Sequence, residues 1–82
     1  MISCNEYDYI EIACMYQFSI RLTLKSGKVI EGTAIDTARN QEKEECIKVD
    51  QGGTNVLVEL NQLSVLEVLD DNPHFREVRF NP

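Results

Sequence analysis

The sequence predicts a mainly β fold: a small, bent antiparallel sheet of five or six strands, curled into a barrel and capped by an N-terminal α-helix. Three observations lead there. The chain has 82 residues, which is room for one domain around one core. Apolar and polar residues alternate without a break from Phe18 to Lys25, the period of a half-buried strand. The remaining apolar runs are short and separated by turn signals, too little material for two packed sheets of useful size. A hydrophobic fraction of 43% is that of a globular chain and argues against disorder.

The first element is the stretch SCNEYDYIEIACM, read as a helix over about residues 5–15. Ser3 followed by Glu6 matches a capping box, with Asn5 as a rival N-cap. Acidic residues in the first turn suit the positive end of the helix dipole. At about 100° per residue, Tyr9, Ile10, Ile12, Ala13, Cys14 and Tyr16 share one broad arc, expected to face inward. Tyr7, Asp8, Glu11 and Met15 fill the opposite arc and are expected to face outward, with Glu6 on the border near the cap.

Strands follow. Phe18, Ile20, Leu22 and Leu24 alternate with Ser19, Arg21, Thr23 and Lys25, predicting a strand over about 17–26. KSGK is a tight turn in which Gly27 is free to take positive φ. The returning strand spans about 28–36, with Gly32 marking a bend or bulge. TARNQEKEE has too few apolar residues for a buried element and reads as a mobile loop. Further strands are expected over about 45–51, 54–60 and 63–69, separated by GGT and NQ. DDNPH interrupts the chain, because Pro73 cannot donate to a ladder, and FREVRF is a sixth, edge strand over about 75–80. The whole is a barrel of the SH3-like or Sm-like kind.

Charge narrows the function. Fourteen acidic and eight basic residues leave a net charge of −6, which repels phosphate. No Lys or Arg precedes Arg21 or falls between Lys48 and Arg76, so the basic stripe of a nucleic-acid binder is missing. An acidic surface suits a basic protein partner, or simply keeps the chain soluble. Cys4, Cys14 and Cys46 are odd in number and lack a Cys-x-x-Cys spacing, so free thiols in a reducing cytoplasm are expected. MISCNEYD carries neither a basic nor an apolar signal segment, and no apolar run spans a membrane. His74, the one histidine, has no nucleophile pattern around it, and the cysteines lack the close pair spacings of zinc sites. The expectation is a protein that is not an enzyme and needs no cofactor or metal.

In ISCNEYDYIEIAC, LTLKSGKVIEGTAID, an acidic loop and two hydrophobic strands, the chain resembles the Rof (YaeO) family of Rho-binding antiterminators. Cys4, Tyr7, Asp8, Ile10, Glu11, Ile12, Ala13 and Cys14 match its helix pattern, and Leu22, Thr23, Leu24 and Gly27 follow at its spacing. The match runs from residue 2 to about 69. The resemblance implies a helix on an Sm-like barrel similar to Hfq. It also implies binding of the transcription termination factor Rho at or near its N-terminal primary RNA-binding region, and inhibition of Rho-dependent termination.

Helix geometry and the family pattern single out Tyr7, Asp8 and Glu11 as partner-binding, with Glu6 and Met15 beside them. Tyrosine gives contact area at low entropic cost, and carboxylates pair bidentately with arginine. A bland alternative leaves Asp8 and Glu11 as a solvated face. The 42–45 loop could extend the negative patch, although a solvated excursion is its simpler reading. Two other functions compete: an Hfq-like RNA-binding ring, which needs self-association and RNA affinity, and an acidic adaptor for some other basic protein. A monomer without tight RNA binding is expected.

Overall fold

A computed structural model describes residues 4–80. In chain order it holds α1 (Cys4–Met15), β1 (Ser19–Leu24), β2 (Val29–Arg39), β3 (Glu45–Asp50) and β4 (Asn55–Glu59). A 3-10 turn (Leu60–Gln62), β5 (Leu63–Val68) and β6 (Glu77–Arg79) complete it. The expected capping box lies outside the description, because Ser3 is not among those residues, and Asn5 sits inside the helix rather than at its cap.

The strands form one antiparallel sheet in the order β4-β3-β2-β1-β5-β6. It does not close. Among the described residues β4 and β6 are its free edges, so the predicted barrel is an open one. The alternation seen in the sequence is reproduced in β1: Ile20 and Leu22 are fully buried, whereas Ser19, Arg21 and Thr23 are half-buried. Gly27 takes φ 93° in the β1–β2 turn, where its N–H donates to the Leu24 carbonyl at 2.8 Å. That region is cheap only for glycine.

One apolar cluster joins helix and sheet. Ile10 and Ala13 of α1 meet Ile20, Leu22, Ile47, Val49, Leu63 and Leu66, all essentially inaccessible to solvent. No polar side chain is buried among the described residues. Burying a side chain such as Ile10 contributes roughly 1.5–3 kcal/mol, so Ile10 is the main anchor of α1. The helix lies against β2.

The helix end explains how its last turn is aimed. The Phe18 N–H donates to the Ala13 carbonyl at 3.0 Å, and the Gln17 N–H to the Cys14 carbonyl at 3.1 Å. With Gln17 at φ 51°, this is a Schellman ending with glutamine in the left-handed position glycine usually holds. It carries the chain straight into β1.

Four sequence expectations need correction. First, β2 continues through Thr37, Ala38 and Arg39, which pair with Ile47, Cys46 and Glu45, so both ends of the supposed mobile loop are strand. What remains, residues 40–44, is a tight turn: the Asn40 side-chain oxygen accepts from the Glu42 and Glu44 N–H groups, both at 3.0 Å. Second, Gly32 itself is not bulged. The register slips between Ala34 and Asp36, and Gly32 serves as a close-approach point between β2 and β3. Third, the last strand covers only Glu77–Arg79. The segment before it is a strap organised by Asn72, whose side-chain oxygen accepts from the His74 and Phe75 N–H groups at 2.8 and 3.1 Å. Fourth, Tyr9 and Tyr16, expected inward, are exposed, and Tyr7, expected outward, is half-buried against the core. Ile10, Ala13 and Cys14 are the buried side chains of α1, Tyr7 and Ile12 pack partly against the core, and Tyr9 and Tyr16 lie on the opposite flank from Tyr7.

Candidate partner-binding surface

The sequence-predicted residues divide into a crest and a flank. Asp8, Glu11 and Met15 are exposed along the crest of α1. Tyr7 does not protrude. It walls a small cleft with Thr37, Ala38, Arg39 and Glu45, where α1 runs beside the β2–β3 hairpin. Glu6 is half-buried at the start of the helix. The five residues therefore lie on one helix, but Tyr7 and Glu6 stand lower than the crest.

Electrostatics sharpen that surface. Every arginine is already engaged: Arg21 with Glu31 at 2.5 Å and Glu67 at 3.7 Å, Arg39 with Glu45, Arg76 with Asp71, and Arg79 with Glu77. Among the described residues, Asp8 and Glu11 have no ion-pair partner. Asp36, on β2, is a residue that sequence reading missed. Burial pushes the Cys14 thiol up to about 11, and the charges of Asp36 and Glu11 push the same way. Asp36 is exposed on β2, against which α1 lies, and adds a carboxylate to that side of the molecule. It sits where the β2–β3 register slips between Ala34 and Asp36, and no local pattern foretells that slip.

The 42–45 loop is adjacent but separately organised. Burial pushes the Cys46 thiol up, with the Glu59 charge second, which sets Glu59 near the base of the turn. Arg39 spans that turn, donating to the Lys43 carbonyl at 2.8 Å and pairing with Glu45 at 3.2 Å. Part of the loop's acidity is therefore satisfied internally.

All three cysteines are free, with Cys14 and Cys46 buried. Among the described residues no group of three or more His, Cys, Asp or Glu side chains gathers to hold a metal ion. His74 stacks on Tyr16 and contacts Phe18. No helix among these residues is long and apolar enough to cross a membrane.

The opposite flank of α1, toward the strap, is aromatic. Tyr9 packs on Phe75 with ring centroids 5.0 Å apart, and Tyr16 stacks on His74 at 4.6 Å and on Phe18 at 5.5 Å. Such pairs contribute about 0.5–1.5 kcal/mol each beyond buried area. They tie the strap to the helix and hold its angle on the sheet.

Comparison with known proteins accounts for this arrangement. No match is found among curated proteins. Among solved structures the chain is similar to YaeO of Vibrio cholerae O395, determined bound to magnesium. The two are 45% identical, with a TM-score of 0.88 over 92% of this chain and 97% of that one. A family model described as modulator of Rho-dependent transcription termination (ROF) matches residues 1–80. A helix pattern, a bent six-stranded sheet and a match over nearly the whole length agree: the chain belongs to the Rof family of modulators of Rho-dependent transcription termination.

Proposed function

We infer that this protein binds Rho at its N-terminal primary RNA-binding region and inhibits Rho-dependent termination by competing with RNA. One observation carries the reading: α1 presents Asp8 and Glu11 exposed and, among the described residues, without ion-pair partners, while all four arginines are paired elsewhere. A surface that grips phosphate must offer arginine or lysine. Carboxylates placed on it occupy the cations that RNA would use, through charge-assisted pairs. Met15 adds apolar contact on the same crest, and Tyr7 and Glu6 complete the site at its lower edge.

Displacement of this kind is sensitive to salt, since exposed pairs are screened beyond about 8–10 Å at physiological ionic strength. The protein acts as a binding regulator rather than an enzyme, in the cytoplasm where Rho works, and as a monomer without tight RNA binding. The test is binding of Asp8→Ala and Glu11→Ala variants to purified Rho, read together with termination in vitro and RNA competition. Both variants should bind more weakly and restore termination while melting like the wild type. Wild-type affinity in both rules out this surface. A ring-sized particle that shifts RNA in a gel favours the Hfq-like alternative.

A further inference from the structure

We propose that the aromatic flank of α1, formed by Tyr9 and Tyr16 with His74, is a preordered patch that, together with Met15 on the adjoining crest, packs against an arginine-bearing face of the same basic protein partner. The inference rests on the docking reading above and extends it to residues that neither the family pattern nor helix geometry marked, Met15 apart.

The patch is exposed although its side chains are largely apolar: Tyr9 is 38% accessible, Tyr16 51% and Met15 71%. Isolated exposed apolar residues need no explanation, whereas Tyr9 and Tyr16 are linked through Phe75, Phe18 and His74 into one run of rings beside a charged crest, the composition of an interface. The group is held still. Tyr16 closes the helix at the Schellman ending, its ring lies nearly parallel to His74 (25°) and Phe18 (17°), and Tyr9 leans on Phe75. Rings already fixed lose little freedom on binding, which favours affinity without added area.

Charge names the occupant. The face of a tyrosine ring is negative and attracts a guanidinium. Asp8 and Glu11 stand on the adjoining crest with no ion-pair partner among the described residues. A ring face beside free carboxylates suits an arginine that stacks on the ring and pairs with the acid. A nucleic acid could stack on the rings, but its phosphates would meet the carboxylates. The two kinds of residue then have separate tasks. The acids steer association, and the rings set how long the complex lasts.

The test follows association and dissociation of the full chain on immobilised Rho at low and high salt, for Tyr16→Ala, Met15→Ser, Tyr16→Phe and Asp8→Asn. Met15→Ser guards against loss of fold, because that side chain does not pack in the core and its variant should unfold like the wild type. Tyr16→Ala should dissociate about tenfold faster, the effect of losing one interface anchor. Met15→Ser should dissociate a few-fold faster, and both effects should persist at high salt. Tyr16→Phe should recover most of the lifetime. Asp8→Asn should mainly slow association, and its effect should fade as salt rises. If Tyr16→Ala and Met15→Ser leave Rho at the wild-type rate while Asp8→Asn binds poorly, the patch is refuted and the acidic docking surface stands. If Asp8→Asn is also unaffected, both fall together. If the wild type binds a labelled oligonucleotide and Tyr16→Ala does not, the rings serve a nucleobase and the protein assignment is overturned.

Discussion

Gly32 is where the sheet tolerates least, and replacing it by alanine tests the β2–β3 geometry on which the acidic surface depends. A Cβ built there runs into the Asp50 backbone carbonyl oxygen and lies 2.6 Å from the Val49 Cγ1, both on β3. The carbonyl cannot rotate aside, because Asp50 is paired to Thr33 and Asn55 in the two neighbouring ladders. Gly32 does not occupy the left-handed region, so the cost is collision rather than backbone strain. Overpacking of this kind costs about 1–3 kcal/mol, and a backbone obstacle puts Gly32→Ala at the upper end. For a chain of this size each kcal/mol lowers Tm by about 4–8 °C, so a fall of roughly 10–20 °C is expected. Gly27→Ala is the control: nothing lies within 4 Å of its Cβ, and at φ 93° only backbone strain of about 1–2 kcal/mol applies. Urea unfolding followed by far-UV circular dichroism measures both. If Gly32→Ala unfolds within 0.5 kcal/mol of the wild type, a threshold near the error of such comparisons, the close approach is wrong. The β2–β3 register around Asp36 would then be wrong too.

Other substitutions probe separate features. Ile10→Ala removes the fully buried anchor of α1 and should cost about 2–5 kcal/mol, with helix signal lost first on heating. Gln17→Gly relieves a left-handed non-glycine at the helix end and should stabilise by at most about 1 kcal/mol, the strain relieved less the added entropy of glycine. In native alkylation Cys4 should react quickly, and Cys14 and Cys46 only after unfolding. The buried Cys14 thiol keeps its proton up to about 11, against an ordinary value of 9.0. The unfolded chain therefore releases that proton first. Stability from this group is full below pH 9.0 and is lost as pH rises toward about 11. A Cys14→Ala variant should lose that part of the alkaline decline, which chemical denaturation across pH will measure.

Local patterns account for much of the fold and stop where distant partners decide. β1 is legible because Ile20 and Leu22 face one core and their neighbours face out, a period written in adjacent residues. The turns at Gly27 and at Gly52–Gly53 are legible because their backbones take positive φ. Thr37–Arg39 is not, since these half-polar residues become strand only by pairing with Glu45–Ile47. The pairing of β1 with β5 joins segments about forty residues apart, and no local signal encodes it. The acidic crest was visible because Asp8 and Glu11 share one helix face, whichever way the helix packs. The tyrosines were misassigned because helix periodicity cannot show that a strap from residues 72–75 meets the helix from the side. Asp36 was missed because its neighbourhood depends on a register slip.

Hydrogen exchange of the full chain, with and without intact Rho, tests the central claim most directly. The prediction is slowed exchange in α1 and the adjoining β2–β3 hairpin, with the 51–54 turn unchanged and the protection lost when an RNA ligand of Rho is added in excess. Protection confined to the free β4 edge or the 51–54 turn, with α1 exchanging as it does alone, would contradict the account.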